Sequence, residues 1–409
     1  MTTDATAKRA IIVGGSTSGL LAAALLRGQG WQADVYERSP IELVGRGAGI
    51  VCHPELFEAL RESGAGASAI GVDVAERLAF EDAGDIIGRR PFPQTVTSWD
   101  RLYQLVRKIV PNDRYHLDHI LIGVEQDAGG VRAIFENGRE VGGDLLIGAD
   151  GFRSTVRQQF LPAITPQYSG YVIWRGLADE AALQPEIRDI VFDRFTFHFP
   201  EGTEILGYPI AGLNNDLREG RRRYNWVWYR RTSEPDLEAM LTDATGRHHP
   251  MGIPPALIRD DVISSMRRAA RTTISPPLLH VLDEIERPFF TPIYDLLSPQ
   301  FAFGRVALIG DAAVVARPHV GYGTTKAAGD ALSLARAIGT GEGNLPAALK
   351  RYHSERYDIG ERCFYRGRQL GAWISGAPPR TDREREEAEE LHSIAGILRH
   401  VASDEFLQM

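Results

Sequence analysis

A strand, a glycine turn, a helix and a second strand ending in an acid stand near the start of this chain, and few folds accept that order at this spacing. Ala10-Ile-Ile-Val13 is an apolar run of strand type, Gly14-Gly-Ser-Thr-Ser-Gly19 follows, and Leu20, Leu21, Ala24 and Leu25 then recur at helical spacing. Ala33-Asp-Val-Tyr-Glu37 is a second strand, its acid 18 residues past Gly19. This is a βαβ unit with a dinucleotide fingerprint: glycines admit a pyrophosphate to the helix N-terminus, and the acid accepts from ribose hydroxyls. In G-x-G-x-x-G register stand Gly14, Ser16 and Gly19, so serine takes the middle place, and its hydroxyl can itself donate to phosphate. Glu37 suits an adenosine without a 2′-phosphate, which makes this a site for FAD or NAD. An ordinary α/β turn is the competing reading.

Two later stretches have the same grammar. Asp144-Leu-Leu-Ile-Gly-Ala-Asp-Gly-Phe-Arg-Ser-Thr-Val-Arg157 runs from an apolar strand through Gly148, Asp150 and Gly151 to a helix near Ser154, with Ser154 or Asp150 as its cap. Val306-Ala-Leu-Ile309 is a buried strand ended by Gly310-Asp311. After Arg317-Pro318-His319 comes Gly321-Tyr-Gly323-Thr324-Thr325, then a helix with Ala327, Ala331, Leu334, Ala335 and Ile338 on one face and Gly339 as its stop. A helix start offers free N–H groups and positive partial charge to an electron-rich ring edge.

Composition removes several classes. Two cysteines, Cys52 and Cys363, in 409 residues exclude a disulfide framework and a cysteine zinc cluster, and fit a reducing cytoplasm. A net charge of −8 speaks against nucleic acid, and the local run Arg218 to Arg231 reads as a solvated loop. No apolar run reaches the roughly 18 residues of a membrane span, and MTTDATAKRA lacks a signal segment. His248-His249 and the scattered acids lack ligand spacing, so no metal is expected.

Between these motifs the chain changes character. Helices are expected near 54–64 and 98–110, strands over His119–Gln126 and Val131–Phe135, and turns at Gly129-Gly130 and Asn137-Gly138. Tyr171–Gly176, Ile190–Phe199, Thr203–Pro209, Arg223–Tyr229 and Pro288–Tyr294 read as strands, and 235–246 and 255–271 as helices. Period-2 alternation puts Tyr224, Trp226 and Trp228 on one face, lining either a ligand chamber or an ordinary core. After Pro378, a charged helix start with Leu391, Ile394 and Leu398 at helical spacing reads as a packed C-terminal helix or an oligomer contact.

Taken together, Gly14-x-Ser16-x-x-Gly19 with Glu37, Gly148-Ala-Asp-Gly151 with Ser154 and Arg157, and Gly310-Asp311 with Arg317-Pro-His-x-Gly-x-Gly323 resemble the single-component FAD-dependent aromatic hydroxylases, over residues 8 to about 370. Val13-Gly-Gly-Ser, Gly49-Ile-Val, Tyr171-Val-x-Trp-Arg-Gly176 and Ala312-Ala-Val-x-x-Arg-Pro-His319 resemble the hydroxypyridine hydroxylases within that class. The resemblance implies an α/β fold of para-hydroxybenzoate hydroxylase type: a Rossmann-type FAD-binding domain (1–73, 98–170 and 295–375), an inserted β-sheet substrate domain (74–97 and 171–294) and a C-terminal helical tail (376–409). It also implies roles. Gly14, Gly15, Ser16, Thr17, Ser18 and Gly19 surround the FAD pyrophosphate, Glu37 binds the adenosine ribose with Arg38 beside it, and Leu121 meets the adenine. Arg46 and Arg101 match basic positions near the ribityl and phosphate groups, Asp150 serves FAD and the nicotinamide donor, and Asp311 takes flavin-side hydroxyls. Pro318 and the backbone of Gly321, Tyr322, Gly323 and Thr324 edge the isoalloxazine ring, and His53, Tyr208, Trp228, His319 and Tyr322 are the candidate substrate contacts.

The chemistry so implied uses NADH or NADPH to reduce FAD, O2 adding at the flavin C4a, and a hydroperoxide that hydroxylates a small electron-rich aromatic or pyridine-type ring, in a cytoplasmic enzyme and possible homodimer. Rival readings are another flavin enzyme (a ring reductase or halogenase) or a non-catalytic flavin-binding protein. The halogenase motif Trp-x-Trp-x-Ile-Pro is absent, because Trp226-Val-Trp228 continues as Tyr229-Arg230.

Overall fold

The computed structural model describes residues 7–45, 47, 49–341, 343–376 and 381–408. The N-terminal motif folds as its pattern demands. Arg9–Val13 pairs in parallel with Gln32–Tyr36 on one side and Leu145–Gly148 on the other, and Val306–Leu308 pairs in parallel beyond that. The crossover helix Thr17–Gly28 is buried from Thr17 to Leu26. Because these four strands run the same way, their carboxyl ends form one edge, which carries Gly14 to Ser16, Glu37, Asp150 and Gly310-Asp311. The edge is three strand spacings wide, about 14 Å, a span that one extended dinucleotide bridges.

Among the described residues the largest sheet has nine strands, in the order Val314–Val315, Phe289–Leu297, Gln167–Asp179, Arg223–Arg231, Thr203–Ile210, Arg194–His198, Val72–Phe80, Ile86–Ser98 and Gly49–Cys52. Its two faces differ. Tyr224, Trp226 and Trp228 pack with Trp174 and Phe290 under the helices Glu234–Met240, Asp260–Thr273 and Pro276–Asp283. Leu206, Tyr208, Val227 and Tyr229 face the opposite way, toward Val320, Tyr322 and the C-terminal residues Leu398, Val401 and Ala402. Trp228 therefore belongs to the helix layer, its indole N–H donating to Thr203 Oγ1 at 2.7 Å, and is not a substrate contact. Alternation places its neighbours Val227 and Tyr229 on the chamber side instead.

Other differences have local causes. The expected strand Ile190–Phe199 begins as the end of a helix, Pro185–Val191, because Pro185 opens a helical turn; Asp193 then takes a positive φ of 62° before the strand Arg194–His198. The helix expected over 235–246 stops at Met240, where Asp243 collects Thr245 N–H, Arg247 N–H and His249 Nε2 in a tight turn. The 31-residue helix Leu345–Ser375 was not anticipated. In the tail, Ser393 ends the helix Asp382–His392 and caps Ile394–His400, accepting from Gly396 N–H. That break turns Ile397 inward with Leu391 and Leu398 and leaves Ile394 exposed.

Candidate functional site

Two cavities open on the strand edge. The first, about 210 Å³, is lined by Gly14, Ser16, Glu37, Arg38, Leu121, Asp150 and Arg153, among others. Gly14 sits at φ 111°, where an added Cβ would lie 2.2 Å from the Ala149 carbonyl oxygen, so the two strand ends approach closely only because glycine is there. Glu37 accepts from Gly15 N–H at 2.7 Å and from Ser39 N–H at 2.9 Å, which holds its carboxylate at the turn. Asp150 takes Val156 N–H on Oδ2, while Oδ1 is buried without a partner and burial pushes its carboxyl pKa up. A buried acceptor at a helix start, beside a glycine cradle, fits the hydroxyls and pyrophosphate of a dinucleotide.

The second cavity, about 360 Å³, lies where the mixed sheet meets the Asp311 and Gly321 loops. Its walls include Tyr208, Leu206, Val227 and Tyr229 from the sheet, Asp311, Pro318, His319, Gly321, Gly323 and Thr324 from those loops and the helix start, and Val401 and Ala402 from the tail. The N-terminus of the helix Gly323–Gly339 opens here, and Thr325 Oγ1 is buried without a partner. Asp311 lines the cavity and is exposed to it, and desolvation by the surrounding protein pushes its pKa up against the opposing pull of Lys326. Cradle, acceptors and helix start together suit FAD running from the first cavity into the second.

The predicted residues divide. Tyr208, Pro318 and His319 line the chamber. His319 is fully buried, with Nδ1 2.9 Å from Glu204 Oε2 and Nε2 3.1 Å from the Tyr171 hydroxyl, its ring stacked on Tyr229 with centroids 4.0 Å apart. Nδ1–H donates to the carboxylate and Nε2 accepts from Tyr171, so both nitrogens are engaged. Tyr322 turns away: its hydroxyl donates to Glu55 Oε2 at 2.9 Å, leaving only its backbone near the loop. His53 also stands behind the loop, Nε2 3.1 Å from the Gly321 carbonyl and Nδ1 3.9 Å from Asp404. His53 and the Tyr322 side chain are therefore corrected as substrate contacts, because backbone carbonyl and carboxylate partners hold them outside the chamber. Arg101 spends its guanidinium on the carbonyls of Ala69, Ile70 and Asn215, the last at 2.7 Å. Arg46 lies outside the described residues.

The His53 environment sets a pH window. Burial lowers its pKa from 6.5 to about 4, so the folded protein keeps it neutral where the unfolded chain takes a proton. The resulting stability is full above pH 6.5 and falls as pH drops toward 4, by about 3 kcal/mol at most. Urea unfolding should show this loss between pH 7 and pH 4.5 in the wild type and most of it gone in His53→Gln; equal losses in both would refute the assignment.

Sequence reading quoted Arg317 only as part of a motif and missed the other groups that hold these loops. Asp330 Oδ2 accepts from Gly310 N–H at 2.9 Å and from Lys326 Nζ at 2.7 Å, and Oδ1 accepts from Arg356 Nε at 2.8 Å. Arg356 continues to Glu55, the partner of Tyr322. Arg317 makes a two-pronged pair with Asp295 at 2.8 and 2.7 Å, fixing the loop before Pro318. Arg77, fully buried, donates to the carbonyls of Leu398, Val401 and Ala402 at 3.2, 2.6 and 2.9 Å and so fixes the tail as a chamber wall. An aspartate in a helix and arginines in strand and helix carry no motif; only their burial reveals them.

Known proteins resemble this chain along most of its length. Residues 264–366 match the FAD binding domain family, and residues 168–295 match a domain described as FAD binding domain-like. The chain is 34% identical over 370 residues to 2,6-dihydroxypyridine 3-monooxygenase of Paenarthrobacter nicotinovorans, covering 90% of this chain and 91% of that one. It is 29% identical to the aurachin C monooxygenase/isomerase of Stigmatella aurantiaca, over 89% of each chain. The solved structure of 2,6-dihydroxypyridine-3-hydroxylase from Arthrobacter nicotinovorans superposes with a TM-score of 0.85 at 32% identity, covering 91% of this chain and 94% of that one. Klebsiella pneumoniae HpxO, complexed with FAD and uric acid, shares the fold at 22% identity and a TM-score of 0.72, covering 98% and 97%. Cradle, chamber and likeness along nine-tenths of the chain point one way: this protein belongs to the FAD-dependent aromatic-ring monooxygenases, the family of 2,6-dihydroxypyridine 3-monooxygenase.

Proposed function

We propose that this enzyme hydroxylates a small, electron-rich N-heteroaromatic ring of the hydroxypyridine kind, with NADH or NADPH as reductant and O2 as co-substrate, in the cytoplasm and as a homodimer. The chamber carries the reading: about 360 Å³, aromatic and aliphatic in its walls, with a few polar groups converging beside the Asp311 and Gly321 loops. The two cysteines are buried and their thiols pushed up to about 12 by burial, which suits a reducing compartment. The division into 1–73, 98–170 and 295–375 for FAD, 74–97 and 171–294 for substrate, and 376–409 as tail belongs to the same proposal. It draws support from the separate parallel and mixed sheets.

Bound FAD supplies the redox chemistry and the activation of O2. The chain does the rest. Gly14 to Gly19, Glu37, Asp150 and Asp311 would hold the cofactor, and the N–H groups of Gly323 and Thr324, at the start of a helix, would stabilise negative charge gained by its ring. Leu206, Val227, Val401 and Ala402 exclude water from the reacting ring. Tyr208 and Tyr229 present hydroxyls that orient a polar ring substituent. His319, fixed by Glu204 and Tyr171, positions the Pro318–Gly321 turn; Ala402 N–H caps its carbonyl at 2.8 Å.

The purified protein should be yellow and should oxidise NADH or NADPH faster when 2,6-dihydroxypyridine is added. One labelled oxygen from 18O2 should appear in the ring product. If no hydroxypyridine accelerates the oxidation, the substrate assignment is wrong.

A further inference from the structure

Among the described residues, the chamber wall contains one lysine or arginine side chain, Arg175. It stands on the strand Gln167–Asp179, paired across to Val227, which is in turn paired to Leu206; both of those line the chamber, so all three side chains share one row of the sheet face. Arg175 is half-buried, and among the described residues its side chain makes no hydrogen bond, ion pair or ring contact. Two other buried arginines on this side are engaged: Arg317 with Asp295, and Arg77 with the tail carbonyls. Around Arg175, the Tyr208 and Tyr229 hydroxyls also have no protein partner, and Glu204 Oε1 is buried and unpaired behind His319.

A guanidinium drawn out of water without a counter-charge is costly, and a planar five-donor fork suits an oxyanion next to a ring. From this we infer that Arg175 is the specificity-determining residue of the chamber and that it selects a ring substrate in its anionic form, binding the deprotonated ring oxygen or an equivalent exocyclic anion. The inference rests on the proposed function for the reaction, but not for the charge. Arg175 touches the substrate's oxygen, which the hydroxyls of Tyr208 and Tyr229 flank as further donors. An anionic hydroxy-heteroaromatic is also the more electron-rich form, so the residue that selects it also favours oxygen transfer. Burial holds the Tyr208 and Tyr229 phenol pKa values above the ordinary value, and the charge of Arg175 opposes that rise at both. The titratable groups facing the bound ring are Tyr208, Tyr229, Tyr294, Asp311 and His319, with Glu204 and Tyr171 behind it.

The test uses the FAD-loaded enzyme and reads ligand binding as the perturbation of flavin absorbance, with two probes: 2,6-dihydroxypyridine across its own titration, and azide, a monoanion with no ring. The wild type should bind dihydroxypyridine more tightly as the ligand ionises and should respond saturably to azide. Arg175→Gln, with FAD content matched, should weaken both on the order of 10- to 100-fold and flatten the pH dependence; Arg175→Lys should recover part of each. Unchanged constants for both probes in Arg175→Gln, or loss of FAD binding in place of ligand binding, would overturn the assignment. If dihydroxypyridine fails to bind even the wild type while the azide response depends on Arg175, the hydroxypyridine reading falls and the anion site stands.

Discussion

Asp330→Ala should cost this protein about 3 to 5 kcal/mol of stability, the usual price of stripping one partner from a buried charge cluster. The carboxylate is fully buried between Lys326 and Arg356, each 1% exposed, at 2.7 and 2.8 Å. Burial alone would raise its pKa, but the two cations hold it below the ordinary carboxylate value. Without it, two desolvated cations face each other and Gly310 N–H loses its acceptor. Asp330→Asn keeps the shape and one acceptor, so it should cost less. The damage should also reach the site, because Gly310 precedes Asp311 and Glu55 links Arg356 to Tyr322. Urea unfolding measures the first effect and FAD content after gel filtration the second. A loss below about 1 kcal/mol, the range of an exposed pair, would mean that water reaches the cluster.

Gly14→Ala should strip the enzyme of most of its FAD. At φ 111° an alanine is strained by about 1 to 3 kcal/mol, and its methyl would stand 2.2 Å from the Ala149 carbonyl oxygen. That contact is backbone against methyl, and no rotamer relieves it. Ala149 N–H is itself bonded to the Val13 carbonyl at 2.8 Å, so the strand ends must part to make room. Parting them moves Asp150 away from the glycine turn, and both flank the cofactor cradle. FAD affinity should fall by roughly 100-fold or more, the equivalent of about 2.7 kcal/mol, read from the absorbance of purified protein and from titration of the apoprotein. Gly28→Ala is the control: an added Cβ there meets nothing within 4 Å, and FAD content should be unchanged. Equal flavin content in both variants would show that the close approach at Gly14 is not needed.

Local motifs carried the reading of the nucleotide half. The strand-end positions of Gly14 to Gly19, Glu37, Asp150 and Asp311 were legible because a strand, a turn and a helix start are contiguous in sequence and dictated by backbone needs. The chamber was less legible. Period-2 alternation correctly grouped Tyr224, Trp226 and Trp228, yet it cannot say which face of a sheet meets the cofactor and which meets a helix layer. His53 and Tyr322 flank the right loop, but the Gly321 carbonyl holds the one side chain and Glu55 the other away from the chamber. Ile394 seemed to continue a helical stripe until Ser393 capped a new helix and shifted the phase.

The N-terminal βαβ unit, the glycine turns at the strand ends and the family were legible in the chain itself, since they rest on contacts between residues near in sequence and on conformations that only glycine or a capping side chain supplies. Where the chamber lies, which arginine in it stands free, and how Asp330, Arg356 and Arg77 brace its loops and wall were decided by folding alone. Each depends on burial and pairing between positions far apart along the chain, Arg77 with Ala402 or Glu204 with His319. The energy of a buried charge is set by its neighbours in space, which no local spacing encodes.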